Sequence, residues 1–159
     1  MNLFTRYYLS PLGCLQLTAE NEAVIGVEFV STPAPNVGDS PVLELCQRQL
    51  EAYFAGTLTE FTIPLSVSGT DFQIRVWHEL QRIPFGTTLS YGGLAQRIGN
   101  PKASRAVGGA NNRNPIAIII PCHRVIGVRG ELTGYAGGLD RKEALLEHEK
   151  RIVAQLLSK

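Results

Sequence analysis

The hydrophobic rhythm of the chain changes near residue 70. Over residues 6–30, apolar positions alternate with polar ones or run together around Pro11-Leu12-Gly13 and Ala19-Glu20-Asn21-Glu22. Tyr7, Leu15, Leu17, Val24, Ile25, Val27 and Phe29 therefore predict hairpin strands, since a pleated strand sends successive side chains to opposite faces. Residues 31–39 have the Pro, Gly and Asn content of a loop. Ser40-Pro41 then opens a helix, with a capping hydroxyl ahead of a proline at the first helical position. Leu43, Cys46, Leu50, Tyr53 and Phe54 recur at helical spacing, which makes Cys46 a core residue, and Gly56 ends the helix. Phe61-Thr62-Ile63-Pro64-Leu65 predicts an edge strand, because its proline has no N–H to give a central ladder. Val67-Ser68-Gly69-Thr70 reads as a linker.

Beyond the linker the period is helical. Thr70-Asp71-Phe72-Gln73 is a capping box, followed by a stripe of Phe72, Val76, Leu80 and Ile83 that Pro84-Phe85-Gly86 breaks. Ser90 caps a short helix with Tyr91, Leu94, Ala95 and Ile98, stopped by Gly99. Asn100-Pro101 begins another, running through Lys102-Ala103-Ser104-Arg105-Ala106-Val107 to a stop at Gly108-Gly109. Two short helices joined by Gly-Asn have the form of a helix-turn-helix. The second carries almost only small residues around one arginine, which suits close approach to a narrow groove or, equally, tight packing on another helix. The expected fold class is α+β: a small mixed α/β N-terminal lobe over 1–68 and a mainly helical domain with a helix-turn-helix over 69–159.

Hydrophobic residues make up 44 % of the 159, enough to build a core. The longest purely apolar stretch, Ile116–Ile120, is far too short to cross a bilayer, and no apolar leader follows the N-terminus. Cys14, Cys46 and Cys122 are scattered and odd in number, which argues against a disulfide framework or a zinc site and for a reducing cytoplasm. The net charge of +1 announces no polyanionic partner, but its distribution does. Between Leu80 and Gly130 there is no acidic residue, while Arg82, Arg97, Lys102, Arg105, Arg113, Arg124 and Arg129 all fall there. Such a segment fits phosphate binding, or a basic face balancing acids elsewhere.

The chemistry concentrates in Asn114-Pro115-Ile116-Ala117-Ile118-Ile119-Ile120-Pro121-Cys122-His123-Arg124-Val125. An apolar run between prolines leads to a cysteine followed by two basic residues. A nearby cation lowers a thiol's pKa and enriches the nucleophilic thiolate, although many free cysteines are simply buried hydrophobes. On an extended backbone Cys122 and His123 would point apart, so a bridging water would have to connect them. The C-terminal helix from Leu139 has a stripe of Leu145, Ile152, Val153 and Leu156 with Glu149 inside it. A buried carboxylate needs a donor: His123 is one candidate and an arginine is the other.

Pro121-Cys122-His123-Arg124-Val125-Ile126 resembles the signature of the O6-alkylguanine-DNA alkyltransferases, the methylated-DNA–protein-cysteine methyltransferase family. The similarity extends, in order, through Ser90-Tyr91, Arg105-Ala106-Val107-Gly108-Gly109-Ala110, Asn114-Pro115, Gly134-Tyr135-Ala136-Gly137-Gly138 and Leu145-Leu146-Glu147-His148-Glu149. The resemblance implies irreversible, single-turnover transfer of an alkyl group from O6-alkylguanine in double-stranded DNA to Cys122, with the protein docked in the minor groove and the base flipped out. It implies His123 as the base acting through water, Glu149 orienting it, and Asn114 bracing the turn between recognition helix and acceptor. Tyr91 would hydrogen-bond the guanine, and Arg105 would fill the vacated space. Ala103, Ser104, Gly108 and Ala110 would form the DNA-facing helix surface. Val125 would offer its main chain, and Tyr135 and Ala136 would wall the alkyl pocket. No metal or cofactor is implied, nor a membrane, and a monomer is expected.

Three rivals have distinct consequences. Alkyltransferase-like proteins bind such DNA without reacting, but they lack the cysteine that is present here. A Cys-His hydrolase would show sustained turnover of an ester or amide, yet no separate oxyanion hole is apparent. A plain helix-turn-helix regulator would leave Glu149 and the Cys122 segment unexplained.

Overall fold

Alternation in the first part of the chain resolves into three antiparallel strands in the order β1 (Leu3–Ser10), β2 (Gly13–Glu20) and β3 (Ala23–Phe29). This computed structural model describes residues 2–158, which divide into two units. One runs through Val67 and takes in Pro115–Ala117; the other holds Ser68–Asn114 and the chain from Ile118 onward.

In the first unit, Leu15, Leu17 and Ala19 point inward from β2 and are fully buried. The register slips between Thr18 and Ala19, where Thr18 faces Gly26 but Ala19 faces Val24. That bulge lets Val24 and Val27 both face the core despite their odd spacing. Helix α1 (Pro41–Ala55) covers the sheet with Leu43, Cys46, Leu50 and Tyr53. The Ser40 side chain accepts from the Leu43 N–H at its start, and Gly56 closes it in the left-handed conformation with φ 81°. The edge strand expected over 61–65 is reduced to one parallel bridge between Val24 and Leu65. Pro64 offers only its carbonyl, which takes the Val24 N–H. A second bridge went unforeseen: Val27 donates to Pro115 O and accepts from Ala117 N–H, so part of the apolar run before Cys122 serves this sheet.

The second unit begins with α2 (Asp71–Leu80), whose capping box forms as its sequence predicts: Thr70 Oγ1 accepts from Gln73 N–H and Gln73 Oε1 accepts from Thr70 N–H. A two-residue strand β4 (Leu89–Ser90) leads into α3 (Tyr91–Arg97), capped by Ser90. Helix α4 spans Ser104–Asn112 rather than starting at Asn100-Pro101 and stopping at Gly108-Gly109. Pro101 and Lys102 lie in a turn closed by Ala103 N–H on Asn100 O. The helix continues through both glycines because Val107, Ala110 and Asn111 are buried on its inner face, and Trp77 Nε1 donates to Ala110 O at 2.9 Å. Packing here outweighs the weak helix propensity of glycine, and Asn114-Pro115 provides the stop.

A 3₁₀ turn at Cys122–Arg124 then feeds β5 (Val125–Ile126), which pairs in parallel with β4. Helix α5 (Leu139–Leu157) buries Lys142, Leu145, His148, Glu149 and Ile152. The expected apolar stripe stops at that point, since Leu156 is 51 % exposed. Among the described residues no helix is long and apolar enough to cross a membrane.

Candidate active site

Cys122 arrives at the site on a strained approach. Ile118, a β-branched residue, sits at φ 71° within a buried run from Ile118 to Val125. The backbone at Cys122 is a 3₁₀ turn and not the extended chain anticipated from the flanking prolines. Successive side chains in such a turn diverge by roughly a third of a revolution, so Cys122 and His123 still point apart.

His123 is completely buried, and its Nε2 lies 2.7 Å from Glu149 Oε2. Glu149 is itself 1 % exposed. It also accepts from Arg124 Nε at 2.8 Å, Arg124 Nη2 at 3.0 Å and the Gly86 N–H at 3.0 Å. The two candidate partners of this carboxylate are therefore both engaged. Burial alone would raise the Glu149 pKa; the hydrogen bonds and charges of His123 and Arg124 outweigh it and hold the carboxyl well below the usual range. An ionised carboxylate only accepts, so the imidazole proton belongs on Nε2. Nδ1 is buried and has no partner among the described residues, which leaves it as a free acceptor. Burial presses the His123 pKa down, against the pull of Glu149, which favours the neutral ring.

The Cys122 thiol does not behave as the neighbouring basic residues suggested. Burial pushes its pKa up, opposed by a hydrogen bond from Asn114 and by the charge of Lys142. Arg124 contributes little to it, being committed to Glu149 and, through Nη1, to Ile83 O at 2.7 Å. Only 6 % exposed, Arg124 also drops out of the phosphate-binding set proposed from charge distribution. Asn114 Nδ2 donates to Ile120 O at 2.8 Å, bracing the loop that carries the cysteine.

Tyr91 starts α3 with its hydroxyl donating to Thr133 O at 2.9 Å. Together with Ser104, Arg105, Gly108, Asn112, Thr133 and Gly134 it lines an open pocket of about 420 Å³. A Cβ at Gly108 would meet the Tyr91 ring at 3.7 Å, an ordinary van der Waals contact, so space alone does not require glycine there. Arg105 is exposed, whereas Ala103 and Ser104 are half-buried at the helix start. Ala110 does not join this surface; at 4 % exposure it faces Trp77 and the interior. Val125 is buried, with its N–H turned to Cys122 O. The Tyr135 hydroxyl is buried with no hydrogen-bond partner among the described residues, and burial together with the charge of Cys122 raises its pKa. Ala136 is exposed.

Residues 3–67 match the model of the 6-O-methylguanine DNA methyltransferase ribonuclease-like domain, and residues 71–151 match that of the DNA-binding domain of the same protein. The chain belongs to the 6-O-methylguanine DNA methyltransferase family. It is 50 % identical over 153 residues to the methylated-DNA–protein-cysteine methyltransferase of Methanosarcina acetivorans, covering 92 % of this chain and 98 % of that one. Its fold is similar to the crystal structure of Mycobacterium tuberculosis O6-methylguanine methyltransferase, with a TM-score of 0.86, 48 % identity and 94 % of each chain covered. It is equally similar to M. tuberculosis OGT in complex with DNA, at TM-score 0.86 and 49 % identity over 93 % of each chain.

Three further residues that sequence reasoning passed over hydrogen-bond to the candidate site residues or their neighbours. Lys142 is fully buried, and its Nζ donates to Thr133 O at 2.8 Å and reaches the Tyr91 hydroxyl at 3.5 Å. Its position seven residues before Glu149 puts both on one face of α5, a signal that was present in the sequence. Asn111 Nδ2 donates to Cys122 O at 3.3 Å, and Thr133 supplies the carbonyl that Tyr91 and Lys142 share. Neither has a sequence signature apart from the fold.

Proposed function

We propose that this chain reverses alkylation damage directly, by moving the alkyl group of O6-alkylguanine in double-stranded DNA onto Cys122, once per molecule. The observation that carries the reading is the buried array of Cys122, His123 with an Nδ1 unpartnered among the described residues, and Glu149 at 2.7 Å from His123 Nε2. A water held between the thiol and Nδ1 would pass the thiol proton to His123 as the lesion binds. The sulfur then attacks the alkyl carbon, the carbon–O6 bond breaks, and its electron pair stays on the guanine oxygen. Tyr91, turning its hydroxyl away from Thr133 O, would donate a hydrogen bond to the guanine as that charge develops, and protonation of the base restores guanine. The product is a thioether with no easy leaving group, so Cys122 is consumed.

Burial of Cys122 suits this chemistry. A thiol kept protonated until the lesion arrives resists adventitious oxidation and alkylation. A base inside a duplex lies out of its reach, so the target must be extruded at a cost of roughly a few kcal/mol. Arg105, exposed beside the Tyr91 pocket, would occupy the vacated stack, with α4 docked in the minor groove. The DNA complex of the mycobacterial relative supports a DNA partner. The protein acts as a monomer in the cytoplasm, without metal or cofactor.

The test is intact-mass spectrometry after mixing with excess duplex containing O6-methylguanine. One methyl mass, localised to the Cys122 peptide and absent in Cys122→Ala, is the expected outcome. Bound but unmodified protein would sink the transfer reaction and leave lesion recognition.

A further inference from the structure

Arg124 is more deeply committed than a basic residue in a DNA-binding segment needs to be. All three of its guanidinium nitrogens are spent: Nε and Nη2 on the two oxygens of Glu149, and Nη1 on Ile83 O. Phe85 lies beneath the guanidinium, 5.7 Å from ring centroid to Cζ, and His148 packs on the edge of the same ring. Burying such a cation merely to hold a loop is an expensive solution, since a well-packed apolar residue usually serves stability as well or better. The fork does something an apolar residue would not. It takes the Glu149 carboxylate, which already accepts from His123, and neutralises its charge within a few ångströms of the imidazole.

We infer that Arg124 sets the charge state of His123: by gripping both oxygens of Glu149 it lets the carboxylate orient the imidazole without turning it into an imidazolium. This rests on the reading of His123 as the base for Cys122. A buried histidine bonded to an unshared carboxylate is drawn toward the protonated form, and a protonated His123 has no lone pair to receive the thiol proton. With Arg124 in place, the His123–Glu149–Arg124 triad is neutral before the reaction and gains one charge only when the thiol gives up its proton. The other charged and titratable groups near His123 are Cys122 on its own turn and Lys142 on α5, whose cation also disfavours an imidazolium. Tyr135 lies close enough to Cys122 and Glu149 to feel their charges, and its raised pKa keeps it neutral. The guanidinium is thus a positioning and charge-setting residue, acting through Glu149, and it touches neither the alkyl group nor the base.

The experiment compares the full-length wild type with Arg124→Met, Arg124→Lys and the double variant Arg124→Met/Glu149→Gln. Two readouts are taken on each: the His123 titration by NMR of ¹³C-labelled histidine, and the pH dependence of benzyl transfer to Cys122 from free O6-benzylguanine. In Arg124→Met, the His123 titration moves up by about one pH unit or more. Transfer at pH 6 falls about tenfold and recovers toward the wild-type rate above pH 8. Arg124→Lys, a point charge without the fork, shifts it less. Removing both charges in the double variant returns the titration toward wild type. A role confined to structure would lower the rate equally at every pH and leave the titration where it was, and that result overturns the inference. Should Arg124→Met not fold, Arg124→Gln keeps N–H donors without charge and carries the same comparison. A wild type modified neither by O6-benzylguanine nor by duplex O6-methylguanine would refute the proposed reaction, while the NMR titration would still decide the role of Arg124.

Discussion

His123 Nε2 and Glu149 Oε2 approach to 2.7 Å in a setting where neither side chain is more than 1 % exposed. The carboxylate accepts hydrogen bonds from His123, twice from Arg124 and from the Gly86 N–H of the loop that follows α2. Its removal leaves a buried guanidinium with one carbonyl partner. Glu149→Ala is therefore expected to cost about 3–5 kcal/mol, the usual result of orphaning half of a buried ion pair. Urea unfolding followed by Trp77, the single tryptophan and a buried residue of the same unit, measures this directly. A loss under about 1 kcal/mol would mean that Arg124 re-pairs or reaches solvent.

The same pair makes stability fall with acid. Both groups are held below their ordinary values: His123 chiefly by burial, and Glu149 by His123 and Arg124 against burial. The unfolded chain thus binds more protons than the folded one below roughly pH 6.5 for the histidine and roughly pH 4.3 for the glutamate. Their stabilisation is fully present above those values and is lost as pH falls through the windows beneath them. The urea midpoint should drop between pH 7.5 and 5.5, and His123→Asn should flatten that part of the profile. An equally steep profile in the variant would assign the slope to other groups.

Lys142 gives the thiol its cationic neighbour. Burial lowers the pKa of this lysine, while the charge of Cys122 opposes the drop. Lys142→Met removes the charge that counters desolvation of the thiolate and the Nζ donor to Thr133 O, while the direct Tyr91–Thr133 hydrogen bond remains. Carboxymethylation of Cys122 by iodoacetate at pH 7.5 is expected to slow about tenfold, roughly one unit in thiol pKa. Unchanged or faster modification would show that Lys142 shields the cysteine and does nothing to activate it.

How much of this was legible beforehand follows physical lines. Local signals came through well: the Thr70 box, the Ser40 and Ser90 caps and the Gly56 stop each depend on a few adjacent residues. Glu149 stood out because a carboxylate inside an apolar stripe must find a donor. Non-local features were hidden. The Val27 bridge to Pro115–Ala117 depends on backbone groups that any residue carries. Lys142 shares a face with Glu149, yet a lysine on a helix is usually solvated. The continuation of α4 through Gly108-Gly109 is decided by what Val107, Ala110 and Asn111 bury, which overrides the local preference of two glycines.

Those two glycines give a prediction in which stability and function separate. Gly109 lies inside α4, is exposed, and a Cβ there would meet nothing within 4 Å. Gly109→Ala should stabilise the helix by about 0.5–1 kcal/mol, because alanine has less backbone freedom to lose on folding. If α4 docks in the minor groove as proposed, the added methyl group on an exposed face also obstructs close approach to the sugar edges. The variant should then unfold at higher urea concentration, bind alkylated duplex more weakly, and transfer benzyl from free O6-benzylguanine at the wild-type rate. Equal DNA affinity alongside the stability gain would place Gly109 outside the docking surface. A loss of stability would mean that α4 carries a constraint at this position that its open surroundings do not reveal.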